Sequence, residues 1–169
     1  PIWGLFICLI LNTFVTPIYA EAAPTPKASA VASAHPLATE AGHEILSHGG
    51  NAFDAAVAVS AVLAVVEPYS SGIGGGGFWL LHRASDGFET MIDGREKAPL
   101  SATADMYLDS NGELVNELSI NGALAAGIPG EPAALAHIAK NYGRLPLARS
   151  LLPAIRLARD GFVIDDYYL

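Results

Sequence analysis

The chain of 169 residues is long enough for one domain or a part of a larger one, and its 51% hydrophobic content with a mean hydropathy of +0.36 is high for a water-exposed protein. A formal charge of −8 and a pI near 4.9 argue against a nucleic-acid partner, which calls for a basic face. The single cysteine, Cys8, lies in the first apolar run, so removal of that run excludes disulfides, thiolate metal sites and cysteine nucleophiles.

Residues 2–15 (IWGLFICLILNTFV) carry no charge and lead into Thr16-Pro17 and the small-residue ending Ile18-Tyr19-Ala20. This is the pattern of the hydrophobic region and cleavage site of a secretory signal peptide, to which residues 1–20 are assigned. The run falls short of the roughly twenty apolar residues of a membrane span. No basic residue precedes it and the chain starts at Pro1, so the true start is expected upstream. The expected destination is the periplasm or the extracellular space, with membrane anchoring as the alternative if the leader is retained. Residues 21–33 (EAAPTPKASAVAS) read as a linker, with a short strand near residues 30–33.

His35-Pro36-Leu37 opens a first helix, where the missing N–H of Pro36 is not needed. Leu37, Ala41, Ile45 and Leu46 share one face, with Glu40 and Glu44 outside it. Gly49-Gly50 closes this helix, and His48 sits against its carbonyl end. Asn51 caps a second helix, and Asp54 three residues on completes a pair resembling a capping box. Residues 52–66 are almost wholly Ala, Val and Leu, so this helix is expected to be buried on most sides. Pro68 ends it by biasing Glu67 away from helical geometry.

Residues 69–77 are expected as loop, 78–83 (FWLLHR) as a buried strand, Asp86-Gly87 as a hairpin turn and 89–92 as the returning strand. A charged segment over 93–99 is stopped by Pro99 and followed by a short helix at 103–108, a turn at 109–112 and a short strand at 123–127. Pro129-Gly130 turns into a helix over 132–142, with Leu135, Ile138, Ala139 and Tyr142 on one face and Gly143 as its stop. A last helix over 147–160 contains Pro153, tolerable near a helix start or at a kink, and ends at Gly161. Val163-Ile164 reads as a strand. Helix, helix, hairpin, helix, helix is an α+β arrangement.

Residues 72–77 (GIGGGG) match the dinucleotide fingerprint in letters but not in context. That fingerprint follows a strand and opens a helix, whereas this loop follows a helix and feeds a strand. No Lys-Ser/Thr follows it either, so a phosphate-binding P-loop is excluded and the glycines read as a means of tight backbone packing. Ser70 and Ser71 lack the G-x-S-x-G context of a nucleophile. His43 and His48 face different directions, and no carboxylate–histidine pair has ligand spacing, so neither a metal nor a cofactor is expected. Arg95 stands out. It lies just past a strand beside Gly94, either in a local ion pair with Asp93 or Glu96 or as an anchor that grips a substrate carboxylate by two parallel hydrogen bonds.

Three stretches in order resemble the γ-glutamyltransferase family: residues 34–81 (AHPLATEAGHEILSHGGNAFDAAVAVSAVLAVVEPYSSGIGGGGFWLL), 92–99 (IDGREKAP) and 127–162 (GIPGEPAALAHIAKNYGRLPLARSLLPAIRLARDGF). The resemblance implies that residues 34–169 are the N-terminal part of the family's large subunit, truncated at its C-terminus. It implies an α+β piece of the N-terminal-nucleophile hydrolase fold, an αββα four-layer sandwich in the complete protein. Family members cleave themselves into two subunits, and the new N-terminal threonine of the small subunit is the nucleophile. By this resemblance the threonine lies beyond Leu169, no catalytic residue is present, and this chain alone is expected to be inactive.

The implied reaction opens the γ-glutamyl bond of glutathione and related compounds through a threonine ester, then passes the acyl group to water, amino acids or peptides. The implied partners are γ-glutamyl substrates and the chain's own small subunit. Arg95, in DGREKAP, matches the family arginine that pairs with the α-carboxylate of the γ-glutamyl group, and the glycines of residues 72–77 are implied to be structural. Cephalosporin acylases and enzymes acting on poly-γ-glutamate share these motifs and are the alternatives. A secreted, non-catalytic binding domain is the alternative of a different class.

Overall fold

The computed structural model describes residues 28–164 together with Asp166 and Tyr168. The expected signal peptide and most of the linker lie outside the described residues. The rest of the linker, residues 28–33, has no strand, and Val31 packs against Gly42 of the first helix.

Helix α1 spans Pro36–Ser47, with Pro36 in its first turn and His35 as its cap, the ring Nδ1 accepting the Leu37 N–H at 3.1 Å. Its inner face is Ala38, Ala41, Gly42 and Ile45, and Glu40 points outward as its spacing predicts. Gly49 (φ 88) takes the left-handed conformation that ends the helix, and His48 Nδ1 lies 2.7 Å from the Glu44 carbonyl oxygen.

Helix α2, Ala52–Val66, is the central rod. Asn51 Oδ1 accepts the N–H groups of Phe53 and Asp54, and Asp54 Oδ2 accepts the Asn51 N–H, so the predicted capping box is complete. Val57, Ala58, Ala61, Val62 and Val66 are buried and only Ala52 is exposed, as a helix without a polar face requires. The helix ends at Glu67, and Pro68–Ser71 forms one further turn, α3, where the sequence predicts loop.

The hairpin pairs β1 (Phe78–Arg83) with β2 (Phe88–Asp93) in the register Phe78↔Asp93 through Arg83↔Phe88. Trp79, Leu81 and Ile92 face the helices, and the Trp79 indole donates to Ser60 Oγ at 3.2 Å. The expectation of a buried β1 needs correction. Only Leu81 is buried, while Phe78, Met91 and above all Leu80, 85% exposed, form an open outer face. A sheet alternates its side chains between two faces, and among the described residues the helices cover one.

Residues 103–108 form turns rather than a helix, with single bonds from Met106 to Thr103 and from Leu108 to Asp105. Such a short segment offers too little packing to offset helix nucleation. Ala123–Ala125 is a 3₁₀ turn after Gly122 (φ 85), not a strand; the ladder contact falls one step later, where Ile128 bridges Lys97. Val163 and Ile164 are not in a strand.

Helix α4, Glu131–Tyr142, buries Ala134, Leu135, Ile138 and Ala139 against α2. Helix α5, Leu147–Asp160, accommodates Pro153 inside, buried with Ala154, and Arg156 reaches Glu44 of α1 at 2.5 Å. The capping box also reaches across the fold. Asp54, fully buried, accepts from the backbone N–H groups of Arg144 (2.9 Å) and Leu145 (3.2 Å), and Asn51 Nδ2 donates to the Tyr142 carbonyl (2.8 Å). A side chain at Gly143 would collide with the Asp54 carboxylate, which explains glycine there better than a helix stop does.

Candidate functional site

Strand β2 ends at Asp93, whose Oδ1 accepts the Arg95 N–H at 3.0 Å and turns the chain out of the sheet. Gly94 extends the hairpin by one more pair, exchanging bonds with Gly77 at 3.0 and 3.3 Å. Gly94 is itself buried, because a Cβ there would lie 2.6 Å from the Trp79 ring and 2.7 Å from the Ala134 methyl.

Two further glycines close on this turn. A Cβ on Gly76 would collide with the Gly94 carbonyl oxygen and lie 2.9 Å from Arg95 Cα. A Cβ on Gly130 would collide with the same oxygen and lie 2.6 Å from that of Arg95. The two loops are joined to each other: the Gly75 carbonyl accepts from the N–H groups of Gly130 (3.1 Å) and Glu131 (3.2 Å). That carbonyl satisfies the start of α4, which has no side-chain cap. Downstream, Lys97 and Ile128 exchange backbone bonds of 3.1 and 2.8 Å. The three stretches that carry the resemblance thus meet around the backbone of Gly94 and Arg95.

The Arg95 side chain is exposed and, among the described residues, has no hydrogen-bond or ion-pair partner. The local ion pair considered from the sequence is not formed, since Asp93 spends an oxygen on the Arg95 backbone instead. Arg95 borders an open cavity of about 550 Å³, lined also by Met91, Lys97, Pro129 and His137. A charged planar fork beside an apolar-floored cavity can hold a carboxylate by two parallel bonds.

Glu131 was not singled out by the sequence. The residue is 5% exposed at the start of α4, and burial pushes its carboxyl up to about 7. An acidic residue directly after Pro-Gly and before an apolar helix was the signal available, yet that pattern usually means an exposed first-turn carboxylate.

Residues 72–77 present a carbonyl, not a row of N–H groups, to the start of α4, which is the reverse of a phosphate cradle. Ser70 and Ser71 lie in the one-turn α3 with no side-chain hydrogen bond to a histidine or carboxylate among the described residues. Among the described residues no group of three His, Cys, Asp or Glu side chains is placed to hold a metal, and no helix is long and apolar enough to cross a membrane.

The model of the gamma-glutamyltranspeptidase family matches residues 38–169. The chain is 46% identical over 140 residues to a glutathione hydrolase proenzyme of Escherichia coli, covering 83% of this chain and 24% of that protein. It therefore spans about a quarter of that relative's length. Among solved structures, Helicobacter pylori gamma-glutamyltranspeptidase superposes with a TM-score of 0.78 at 47% identity, covering 84% of this chain and 40% of that one. A cephalosporin acylase of Bacillus halodurans superposes with a TM-score of 0.69 at 36% identity, covering 90% and 29%. The helices and hairpin are thus a part of the fold that these enzymes share, and the chain belongs to the γ-glutamyltranspeptidase family.

Proposed function

We propose that the complete protein is an exported γ-glutamyltransferase acting on glutathione and related γ-glutamyl compounds, in which Arg95 grips the substrate α-carboxylate. The observation that carries this reading is an exposed guanidinium without a partner among the described residues, on a turn braced by two loops. Residues 1–20 are then the leader, 21–33 the linker and 34–169 the beginning of the large subunit, whose own partner is the small subunit released by self-cleavage. If the leader is kept, the enzyme is membrane-anchored.

In this reading Arg95 fixes the amino-acid end of the substrate so that the γ-carbonyl meets the threonine hydroxyl of the small subunit. The hydroxyl adds to the carbonyl, the amide C–N bond breaks, and the amine leaves with a proton. The threonine ester then passes its acyl group to water or to an incoming amine and recovers its hydroxyl. Everything this chain supplies is binding and orientation.

The test is Arg95→Lys in the complete, processed protein. Lysine keeps the charge but loses the fork, so kcat/KM for a γ-glutamyl anilide should fall about tenfold or more. Unchanged constants would assign Arg95 a structural role. The isolated chain should not turn over the anilide at all, and activity that survives dialysis would defeat the placement of the nucleophile outside it. The likeness to the Bacillus halodurans acylase favours one second reading, an acylase. A complete protein that cleaves a glutaryl amide faster than its γ-glutamyl counterpart would select it. A full-length protein that never self-cleaves and turns over neither would point to a binding domain.

A further inference from the structure

We infer that Gly76 and Gly130 are positioning residues for Arg95: by having no side chain they let two loops close on the Gly94–Arg95 backbone and so set where the guanidinium stands. This rests on the reading of Arg95 as the α-carboxylate anchor. An arginine without a side-chain partner among the described residues takes its bearing from its own backbone. That backbone is held by the Asp93 carboxylate, by the Gly77 pairing and by the close approach of Gly76 and Gly130.

Backbone conformation does not explain these two glycines, because neither has the positive φ that favours glycine. The approach of neighbouring backbone does. Restoring ordinary contact of about 3.5 Å to a methyl placed at either position moves the Gly94–Arg95 turn by roughly 1 Å. Misplacement of that size costs on the order of a hundredfold in a group that must meet its substrate in a fixed geometry.

Other glycines provide controls within the same loops. Gly74 has open space where its side chain would be, and its φ is not positive. At Gly127 a Cβ would lie 3.1 Å from Glu96 Cβ, a lighter push one residue beyond Arg95.

The experiment uses the complete, processed enzyme and two anilide substrates, one with the free α-carboxylate and one with an α-carboxamide. The readout is the ratio of their kcat/KM values. Arg95→Ala should collapse this ratio; if it does not, the anchor reading fails, whatever the glycines do. With that satisfied, Gly76→Ala and Gly130→Ala should each lower the ratio about tenfold or more, chiefly through KM for the carboxylate substrate, while Gly74→Ala leaves it unchanged. Equal losses on both substrates, with the ratio kept, would make the glycines mere scaffold and overturn the inference. Should neither variant accumulate as processed enzyme, Gly127→Ala decides: a ratio lowered severalfold supports the inference, and an unchanged ratio overturns it.

Discussion

Two clamps hold this chain together, and they use the same device to different ends. At the start of α2, Gly143 comes so close to Asp54 that no side chain fits between them, and three backbone N–H groups end on the buried carboxylate. At the end of β2, Gly76 and Gly130 come as close to the Gly94–Arg95 turn, but the charged side chain at that clamp points to the outside without a partner among the described residues. A charge that is buried and fully hydrogen-bonded holds the fold; a charge that is braced at its backbone and exposed at its tip is available to a ligand.

The largest effect should come from breaking the first clamp. Asp54→Ala leaves three part-buried N–H groups without their carboxylate and should cost about 3–5 kcal/mol, read as a lower urea midpoint of the complete protein. A loss under about 1 kcal/mol would mean that water replaces the carboxylate. Breaking the second clamp's tip should leave stability nearly untouched: Arg95→Ala should lower kcat/KM for γ-glutamyl substrates about tenfold to a hundredfold and shift the midpoint little. A large drop in stability instead would erase the distinction between the clamps.

Glu131 lies between the two cases, buried beside the second clamp. Its folded-state pKa is raised from the ordinary 4.5 to about 7, so both states are protonated below the ordinary value and no penalty exists there. As pH rises from about 4.5 to 7 the unfolded chain gives up the proton while the folded chain keeps it, and stability falls by on the order of 2 kcal/mol. Glu131→Gln should flatten this decline, as denaturation at a series of pH values would reveal; parallel curves for the two proteins would contradict the burial argument. The smallest effect is expected at the surface, where Arg156→Ala removes the half-exposed pair with Glu44 and should cost about 0.5 kcal/mol or less.

Much of the helical layer was legible in the sequence, because what defines it is local. Asn51 and Asp54 cap a helix by virtue of lying three residues apart, and Gly49 and Gly161 end helices with positive φ whatever the surroundings. The short elements are less legible because their local letters are weak: residues 103–108 and 123–127 read as helix and strand, yet neither has the packing or the ladder to persist. The site was half legible. Arg95 stands out in the sequence through its place after a strand and its match to DGREKAP, and the GIGGGG loop reads there as backbone packing, but no local pattern links the two.

Spacing along the chain settled where the long helices run and stop, because caps and apolar faces depend on neighbours within a few residues. Contacts between distant segments settled the rest. Asp54 serves Arg144 and Leu145 far along the chain, Gly76 and Gly130 both close on Gly94 and Arg95 where three loops converge, and Glu131 is buried by what packs around it. Leu80, apolar in a strand that reads as core, is left in the open because a hairpin has two faces and the helices cover one. Which face of a hairpin is buried is a property of the assembled surroundings, and the letters of the strand alone do not encode it.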